Sequence, residues 1–359
     1  MADTLGSGHI PPVTIRDVAR RARVSLSSVS RVISDHPDVS PEMRRRVLKA
    51  ADSLSYEPHF IAQSLRTGTT RTLGFLVGSI SNPVFAEVIR GAGDRAHAKG
   101  YGVLLTTSEG DPVLDAQHLR LLVQRRVDGV IISTAEIGSP EVTRTFLNPT
   151  VPFVVLDRDV PIGSPVSTIF GDHSGGLREA TAHLIERGHR DIAFLSGPDS
   201  LRPPRERLLG FRRAFADAGL TPREDLIVLG QMLPEFGREQ ASRLLGLGEP
   251  PSAIVAASNR LLTGVLEAAH QRNRTVGRDL ALVGCDDTDL TRLYRPSISV
   301  VVRDQYRMGQ AACELLLERL EQPDAPIRST TLPTRFVARA SSDFVWTPEL
   351  TRRRITRSR

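Results

Sequence analysis

Short, continuous apolar runs alternate with longer helical patterns from residue 72 almost to the end of the chain. Such runs, about five residues long and without polar alternation, are typical of strands that are covered on both faces in a parallel sheet. The predicted strands are Leu73–Val77, Val103–Thr106, Val130–Ile132, Phe153–Leu156, Ile192–Leu195, Ile227–Leu229, Ile254–Ala256, Ala281–Val283 and Ile298–Val302. The sequence therefore predicts an α/β fold with helices on both faces of doubly wound sheets.

This α/β region is too long for one modest sheet. The chain has 359 residues, and only the first 70 or so precede the alternating pattern. Single hydrophobic cores stop growing at about 250–300 residues. We therefore expect residues 71–345 to form two similar α/β lobes joined by crossovers. Because ligands of such folds bind at the carboxyl ends of the strands, we also expect a ligand cleft between the lobes.

The composition excludes several other classes of protein. Hydrophobic residues make up 40% of the chain and charged residues 25%, as in folded globular proteins. Long apolar runs are missing, so we expect no membrane span, and the N-terminus lacks the basic start and apolar centre of a secretory signal. The two cysteines, Cys285 and Cys313, cannot build a disulfide framework. A reducing cytoplasm is the expected compartment.

Three short helical patterns precede the α/β region, and we predict a helical domain over residues 13–57 after a disordered stretch at 1–12. Thr14 with Asp17 resembles a capping box, Ser25 can cap a second helix, and Ser40 precedes a proline at the first position of a third. The predicted buried faces consist of Val18, Ala19, Ala22, Val29, Val32, Ile33, Val47, Leu48, Ala51 and Leu54.

The positive charge is concentrated at the two ends of the chain. The formal net charge is +6, of which residues 1–70 carry +3 and residues 351–359, within the basic tail at 346–359, carry +5, so the remainder is 6 − 3 − 5 = −2. A basic N-terminal part on a mildly acidic body indicates a polyanionic partner for that part. Between the two parts, residues 58–70 predict a hinge whose short helix forms only when something packs on it.

The segment TIRDVARRARVSLSSVSRVI, which begins at Thr14, predicts a helix-turn-helix. In that motif the second helix enters the DNA major groove with its first residues at the base edges, where Leu26 and Ser27 would lie. Arg31, one turn further, can contact a guanine. Hydroxyl groups that can reach phosphates belong to Thr14, Ser25, Ser30 and Ser40. The alternative is a plain three-helix bundle with solvated serines and arginines.

The chain also resembles the lactose-repressor (LacI/GalR) family of bacterial transcription regulators over roughly residues 13–340. The matching stretches include VSPEMRRRVLKAADSLSYEP, AQSLRTGTTRTLGFLV, NPVFAEVIRGAGDRAHAKGYGVLL, VPFVVLDR, HLIERGHRDIAFLSGP, RERLLGFRRAF and LALVGCDDTDL. The resemblance implies a homodimer that binds a palindromic double-stranded DNA operator. It also implies a hinge helix and a two-lobed body similar to periplasmic sugar-binding proteins.

The resemblance extends the set of predicted DNA-binding residues into the hinge. Leu65 occupies the position of a leucine that is wedged between central base steps, which opens and bends the duplex. The further positions that the resemblance implies are Ser34, His59, Ala62 and Gln63. Arg23 stands in the turn where glycine is common, so this turn must accept a side chain.

The resemblance further implies an effector cleft, with a small, carbohydrate-like molecule as its ligand. Arg207 suits a pair of sugar hydroxyls or a carboxylate, and Asp286 could accept two hydroxyls or else form a loop salt bridge. The predicted lining consists of Phe85, Asp157, Arg158, Arg207, Met232, Asn259 and Asp286. Asp172 is instead expected to cap a helix.

Arg260 departs from the family, which often has aspartate at this position. The exchange changes the local charge by two units and would favour an anionic effector if Arg260 faces the cleft. The alternative is that Arg260 points to solvent.

The sequence favours a repressor that is switched by a small molecule. No phosphate-binding glycine loop and no metal-ligand spacing is present, so we expect no enzymatic activity, no cofactor and no metal. Three alternatives stay open: a binding or transport protein with the same lobes, an enzyme on a doubly wound fold, and a regulator that has lost its effector.

Overall fold

The structure is a computed structural model, which describes residues 13–34, 36–56, 68–134 and 140–346. The chain divides into two compact units, Met1–Thr70 and Arg71–Arg359. We call the first unit the head and the second unit the body. Within the part of the chain that the structure describes, no helix is both long and apolar enough to cross a membrane.

The described part of the head contains three helices, α1 (Ile15–Ala22), α2 (Leu26–Ile33) and α3 (Pro41–Ser53). Its buried core consists of Val18, Ala19, Ala22, Val29, Val32, Val47 and Ala50. The prediction that Leu48 is buried was wrong, since this residue is 52% exposed. Val47 is buried as predicted, and Ala50 is buried in place of Leu48, because the helical repeat turns Leu48 to the other face.

The body contains two six-stranded sheets. The first sheet is built from β1 (Thr72–Val77), β2 (Gly102–Thr107), β3 (Gly129–Ser133), β4 (Phe153–Leu156), β5 (Ser167–Gly171) and β11 (Ser329–Leu332), in the order β11-β5-β4-β3-β1-β2. All neighbours in it are parallel. We call the lobe around this sheet the N-lobe.

The second sheet forms the C-lobe. Its strands are β6 (Ile192–Ser196), β7 (Ile227–Leu229), β8 (Ala253–Ala256), β9 (Ala281–Cys285), β10 (Ser299–Arg303) and β12 (Thr334–Val337), in the order β12-β10-β9-β8-β6-β7. Only β12 is antiparallel to its neighbour. The predicted fold class, two parallel-dominated α/β lobes behind N-terminal helices, is confirmed.

Helices cover the sheets and alternate with the strands along the chain. They are α4 (Pro83–Ala98), α5 (Pro112–Gln124), α6 (Pro140–Leu147), α7 (His173–Glu186), α8 (Arg202–Asp217), α9 (Pro234–Leu245), α10 (Asn259–Gln271), α11 (Asp289–Leu293) and α12 (Gln305–Glu321). The strands β5, β11 and β12 were not anticipated, because their polar and glycine residues hide them from a search for continuous apolar runs.

The chain passes between the lobes at three places, after β5, after β10 and after β11. The first passage leads into α7. Asp172 caps the N-terminus of this helix by accepting a hydrogen bond from the amide of Gly175 at 2.9 Å. The second leads into α12, which packs against the N-lobe core. These passages place the carboxyl ends of β4, β9 and β10 next to one another, and the cavity described below lies there.

Helices α4 and α12 approach each other closely at two glycines. A Cβ atom on Gly91 would lie 2.0 Å from the carbonyl oxygen of Tyr306, and one on Gly309 would lie 1.9 Å from that of Val88. Real Cβ atoms essentially never come so near, so both positions require glycine for this packing. Gly93 lies on the same helix but has open space around it.

We expect opposite results from alanine at these two positions of α4. Gly91→Ala should destabilise the body by about 1–3 kcal/mol, because the helices must move apart. Gly93→Ala should raise stability by about 0.5–1 kcal/mol, since alanine has the higher helix propensity. Urea unfolding of both variants tests this, and equal effects of the two substitutions would contradict the proposed packing.

Candidate functional site

The first turn of α2 is open to solvent and carries the predicted base-reading residues. Leu26 is 45% exposed although it is apolar, and Ser27 and Arg31 are exposed as well. Ser27 and Arg31 are four residues apart and so share one face of the helix. The head therefore presents an apolar group and a hydroxyl in the first turn of α2 and a guanidinium in its last turn.

The predicted phosphate-binding hydroxyls already serve the helices themselves. Thr14 donates its hydroxyl to Asp17 at 2.6 Å and completes a capping box with it. Ser25 accepts from the amide of Ser28 at 3.1 Å, and Ser40 accepts from the amide of Met43 at 3.3 Å. Because these groups cap three helices, their substitution would also lower the stability of the head.

The tight turn between α1 and α2 is held by a residue that sequence reasoning missed. Arg23 adopts the left-handed conformation with φ 52°, which glycine tolerates most easily. Arg46 of α3 donates to the carbonyl oxygens of Ala22 at 2.7 Å and of Arg23 at 3.2 Å. The guanidinium thus satisfies the carbonyl groups that the end of α1 leaves open.

The remaining predicted DNA-binding residues lie at the end of α2 and in the hinge. Ser30 and Ser34 lie near the end of α2, where Ser34 donates its hydroxyl to the carbonyl of Ser30 at 2.8 Å. The hinge positions lie outside the described residues, so the assignments of His59, Ala62, Gln63 and Leu65 stay predictions.

The body encloses a cavity between its lobes, and all of the predicted effector-binding residues line it. It offers about 200 Å³ to water-sized molecules, whereas one water needs roughly 10–15 Å³ on this measure. A small organic ligand can therefore fit. The predicted lining residues are Phe85, Asp157 and Arg158 of the N-lobe and Arg207, Met232, Asn259 and Asp286 of the C-lobe. Their role as ligand contacts stays a prediction.

A largely buried arginine in the lining of this cavity joins carboxylates from the two lobes. Arg303, at the end of β10, forms ion pairs with Asp157 of the N-lobe and, at 3.2 Å, with Asp286 of the C-lobe. Burial alone would lower the pKa of Arg303, but the two carboxylates outweigh this effect and raise it. Gln305 adds a hydrogen bond to Asp286 at 3.0 Å.

Asp157 is held in its charged form by several donors. Its Oδ1 accepts from the amide of Gly171 at 2.8 Å and lies 3.1 Å from Nε2 of His173. Burial opposes ionisation, but His173, Arg303 and the Gly171 amide outweigh it and hold the pKa of Asp157 well below its usual range. Asp157 therefore stays an anion at the junction of the lobes.

His173 connects this network to Arg207. Burial lowers the pKa of His173 to about 4, so the imidazole is neutral at neutral pH. Its Nδ1 lies 3.3 Å from Nη2 of Arg207. Because an arginine can only donate, Nδ1 accepts this bond and the ring proton is on Nε2, which faces Asp157.

A second part of the cavity wall, around Asn82 and Asn259, is also built from both lobes. The amide of Asn259 donates to the side-chain oxygen of Asn82 across the cleft at 2.9 Å. Glu109 accepts from Ser79 at 2.7 Å and from Thr107 at 3.0 Å. These hydrogen bonds, together with the nearby charge of Arg260, lower the pKa of Glu109. Arg260 itself lines the cavity, so it does not simply point into solvent.

A second, exposed ion-pair group links the lobes outside the cavity. Asp159 of the N-lobe binds Arg202 at 2.7 Å and Arg205 at 2.5 Å, both in the first turn of α8. The side chain of Asp159 is 49% exposed. Solvent screens such pairs, so we expect them to contribute little to stability.

Sequence reasoning missed three important residues: Arg303 and Glu109, which line the cavity, and His173, which contacts the lining residues Asp157 and Arg207. Arg303 directly follows the predicted strand Ile298–Val302, and the rule that sites form at the carboxyl ends of strands could have identified it. Glu109 lies two residues after the end of β2, so the same rule could have identified it. His173 gave no such signal, since it meets Asp157 and Arg207 only through the tertiary structure.

Both parts of the chain match known protein families. Residues 14–59 match the bacterial regulatory proteins of the lacI family, and residues 181–342 match the periplasmic binding protein-like domain. The HTH-type transcriptional repressor PurR of Photobacterium profundum is 33% identical over 330 residues, which cover 91% of this chain and 98% of that protein. Catabolite control protein A of Priestia megaterium is 32% identical over 333 residues, which cover 92% of this chain and 99% of that protein.

Solved structures are similar over most of the chain. The lac repressor dimer bound to operator and the anti-inducer ONPF has a TM-score of 0.82 at 29% identity, and the match covers 92% of this chain and 99% of that one. The complex of the transcriptional regulator CelR with cellobiose has a TM-score of 0.70 at 29% identity, with the same coverage. Both the fold and the order of the parts are thus shared.

The two aspartates that link the lobes should differ strongly in their contribution to stability. Asp157→Asn removes one of the two carboxylates that neutralise the buried Arg303, so we expect a loss of about 3 kcal/mol. Asp159→Asn breaks only exposed pairs and should cost at most about 1 kcal/mol. Urea unfolding followed by the fluorescence of Trp346, the one tryptophan of the sequence, measures both. Similar losses in the two variants would refute the assigned role of Arg303.

Proposed function

Since the chain belongs to the lacI family of bacterial regulatory proteins, we propose that it is a DNA-binding transcriptional repressor. In this proposal the head binds an operator, and a small molecule in the body switches the binding. The observation that carries the proposal is the exposed side of α2, where Leu26 and Ser27 of the first turn and Arg31 of the last turn face solvent. We assign the protein to the cytoplasm and assign it no catalytic activity.

The side chains on α2 define how the head would recognise its operator. With α2 in the major groove, Leu26 suits the methyl group of a thymine, and Arg31 suits a guanine. The hydroxyls around the three helix starts and the adjacent amides would fix the register by contacting phosphates. The hinge leucine Leu65 would add a wedge in the minor groove.

We further propose that the protein acts as a homodimer on a palindromic operator. The related lac repressor was solved as a dimer bound to operator. In this chain, the N-lobe exposes Val103 and Leu105 on the edge strand β2 and Val113 and Leu121 on α5. Exposed apolar groups at a sheet edge are typical of a surface that a second chain covers.

The switch would work by a shift between two arrangements of the lobes. A ligand in the cavity contacts both lobes, so it favours the arrangement in which these contacts are best. The coupling between ligand and operator is then reciprocal, typically about 1–3 kcal/mol. An inducer favours the arrangement that releases DNA, and a corepressor favours the one that binds it.

Selection of binding sites from random duplex DNA tests the proposal directly. The full chain should enrich a palindrome at fixed salt, either alone or when a metabolite extract from bacterial cells is added. A flexible pyrimidine–purine step at its centre would fit insertion of the hinge. Failure to enrich any sequence under both conditions would refute the assignment as a sequence-specific regulator.

Arg31 should carry part of the sequence preference. We expect Arg31→Ala to weaken binding to the selected operator by about 1–3 kcal/mol and to relax the preference at one base position of each half-site. Arg45→Ala is the matched control, because Arg45 is an exposed arginine on α3 rather than on the reading helix. It should leave the base preference unchanged. Fluorescence anisotropy with single-base operator variants measures both effects.

A further inference from the structure

Arg207 is a buried cation that no carboxylate of the described residues neutralises. The residue is 6% exposed and lines the cavity between the lobes. Its Nη1 donates to the carbonyl oxygen of Ala257 at 2.8 Å, and its Nη2 donates to the neutral imidazole of His173 at 3.3 Å. Its Nε is buried and has no hydrogen-bond partner among the described residues. A charge removed from water in this way is costly unless a counter-ion joins it.

The acidic groups of the cavity are occupied elsewhere. Asp157 and Asp286 share Arg303, as described above. Glu109 accepts hydrogen bonds from Ser79 and Thr107. The protein itself therefore offers Arg207 no anion, although the guanidinium lies in a space that can hold a small molecule.

Two neighbouring features add positive potential to the same wall. Arg260 lines the cavity and forms no ion pair within the described ranges, although its charge acts at longer range on Glu109 in the same lining. The helix α10 begins at Asn259, another lining residue, so the positive end of its dipole is directed to the cavity. Together with Arg207, these groups form a site on the C-lobe that suits an anionic group.

Asp286 adds a second requirement, for hydroxyl groups. Both of the hydrogen bonds that Asp286 accepts, from Arg303 and Gln305, end on the same oxygen, Oδ1. From the residues that the structure describes, Oδ2 receives no donor, and Asp286 lines the cavity. An ionised carboxylate accepts but cannot donate, so it selects ligand groups that donate, such as sugar hydroxyls.

We propose that the ligand of this cavity is a polyhydroxylated acid, that is, a sugar carboxylate or a sugar phosphate. Its acid group binds Arg207 and Arg260 at the start of α10, and a hydroxyl donates to Asp286. This inference rests on the proposed function, since it names the chemical class of the effector. It also gives Arg260, which departs from the family at this position, a role in selecting the ligand.

Titration calorimetry with the full chain at constant ionic strength tests the proposal. Three ligand sets are compared, built on glucose, galactose and mannose, each as the neutral hexose, the hexuronate and the hexose 6-phosphate. Inorganic phosphate serves as an anion without hydroxyls. We expect at least one acid to bind at least about tenfold more tightly than its neutral parent. Inorganic phosphate alone should bind more weakly than that acid, and the two acid forms distinguish carboxylate from phosphate.

Variants assign the effect to the named residues. Arg260→Gln should lower the affinity for the preferred acid about tenfold and leave that for the neutral parent unchanged. Arg207→Lys should lower the affinity for the acid and for its neutral parent, because the buried guanidinium can donate to sugar hydroxyls as well as to an acid group. Arg278→Gln is the matched control, since Arg278 is exposed on the C-lobe and does not line the cavity. Even if Arg207→Lys fails to fold, Arg260→Gln keeps the test decisive.

The proposal is overturned if the neutral sugar of every set binds as tightly as its acids, or if no acid of any set binds. It is also overturned if Arg260→Gln and Arg278→Gln leave acid binding equally intact. These results are independent of the DNA selection. A wild-type chain that enriches a palindrome but prefers neutral sugars refutes the ligand class alone. A chain that binds an acid but enriches no DNA refutes the regulatory function alone.

Discussion

The cavity of the body depends on one largely buried cation, Arg303, which lies between a carboxylate of the N-lobe and a carboxylate of the C-lobe. Without it, Asp157 and Asp286 would face each other as buried like charges. With it, the lobes are joined by an interaction that water screens weakly, at the point where the chain crosses from β10 to α12. The remaining polar groups, His173 and Gln305, complete the bonds of these carboxylates.

This arrangement explains how a small ligand could act on both lobes. The network already spans them, and the bond between Asn82 and Asn259 spans them again at the second part of the cavity wall. A ligand that contacts Arg207 and Asp286, both of the C-lobe, is linked to Asp157 of the N-lobe through His173 and Arg303. The geometry of these interactions depends on the angle between the lobes. Binding energy is thereby converted into a preference for one arrangement, which is what a population shift requires.

Much of the fold was predictable, because apolar runs and helix starts are local signals. The caps at Thr14, Ser25 and Ser40 and the strands of continuous apolar residues were found this way. The predicted cleft residues came from a family resemblance, and the structure brings them to one cavity. Arg303 and His173 were missed because their roles depend on partners that only the tertiary structure brings close. Arg303 and Asp157, for example, are more than a hundred residues apart in the chain.

The sequence by itself determined the helix-turn-helix pattern and the α/β class of the body. It also determined the difference in net charge between the two ends of the chain and its central part. All three follow from residues near one another in the chain. Only the tertiary structure decided which charges neutralise each other. Arg303 is matched by two carboxylates and Arg207 by none of the described residues, and this difference depends on which strand ends and helix starts the crossovers bring together. Pairing of buried charges is short-ranged in space and not in sequence, so composition and spacing cannot specify it.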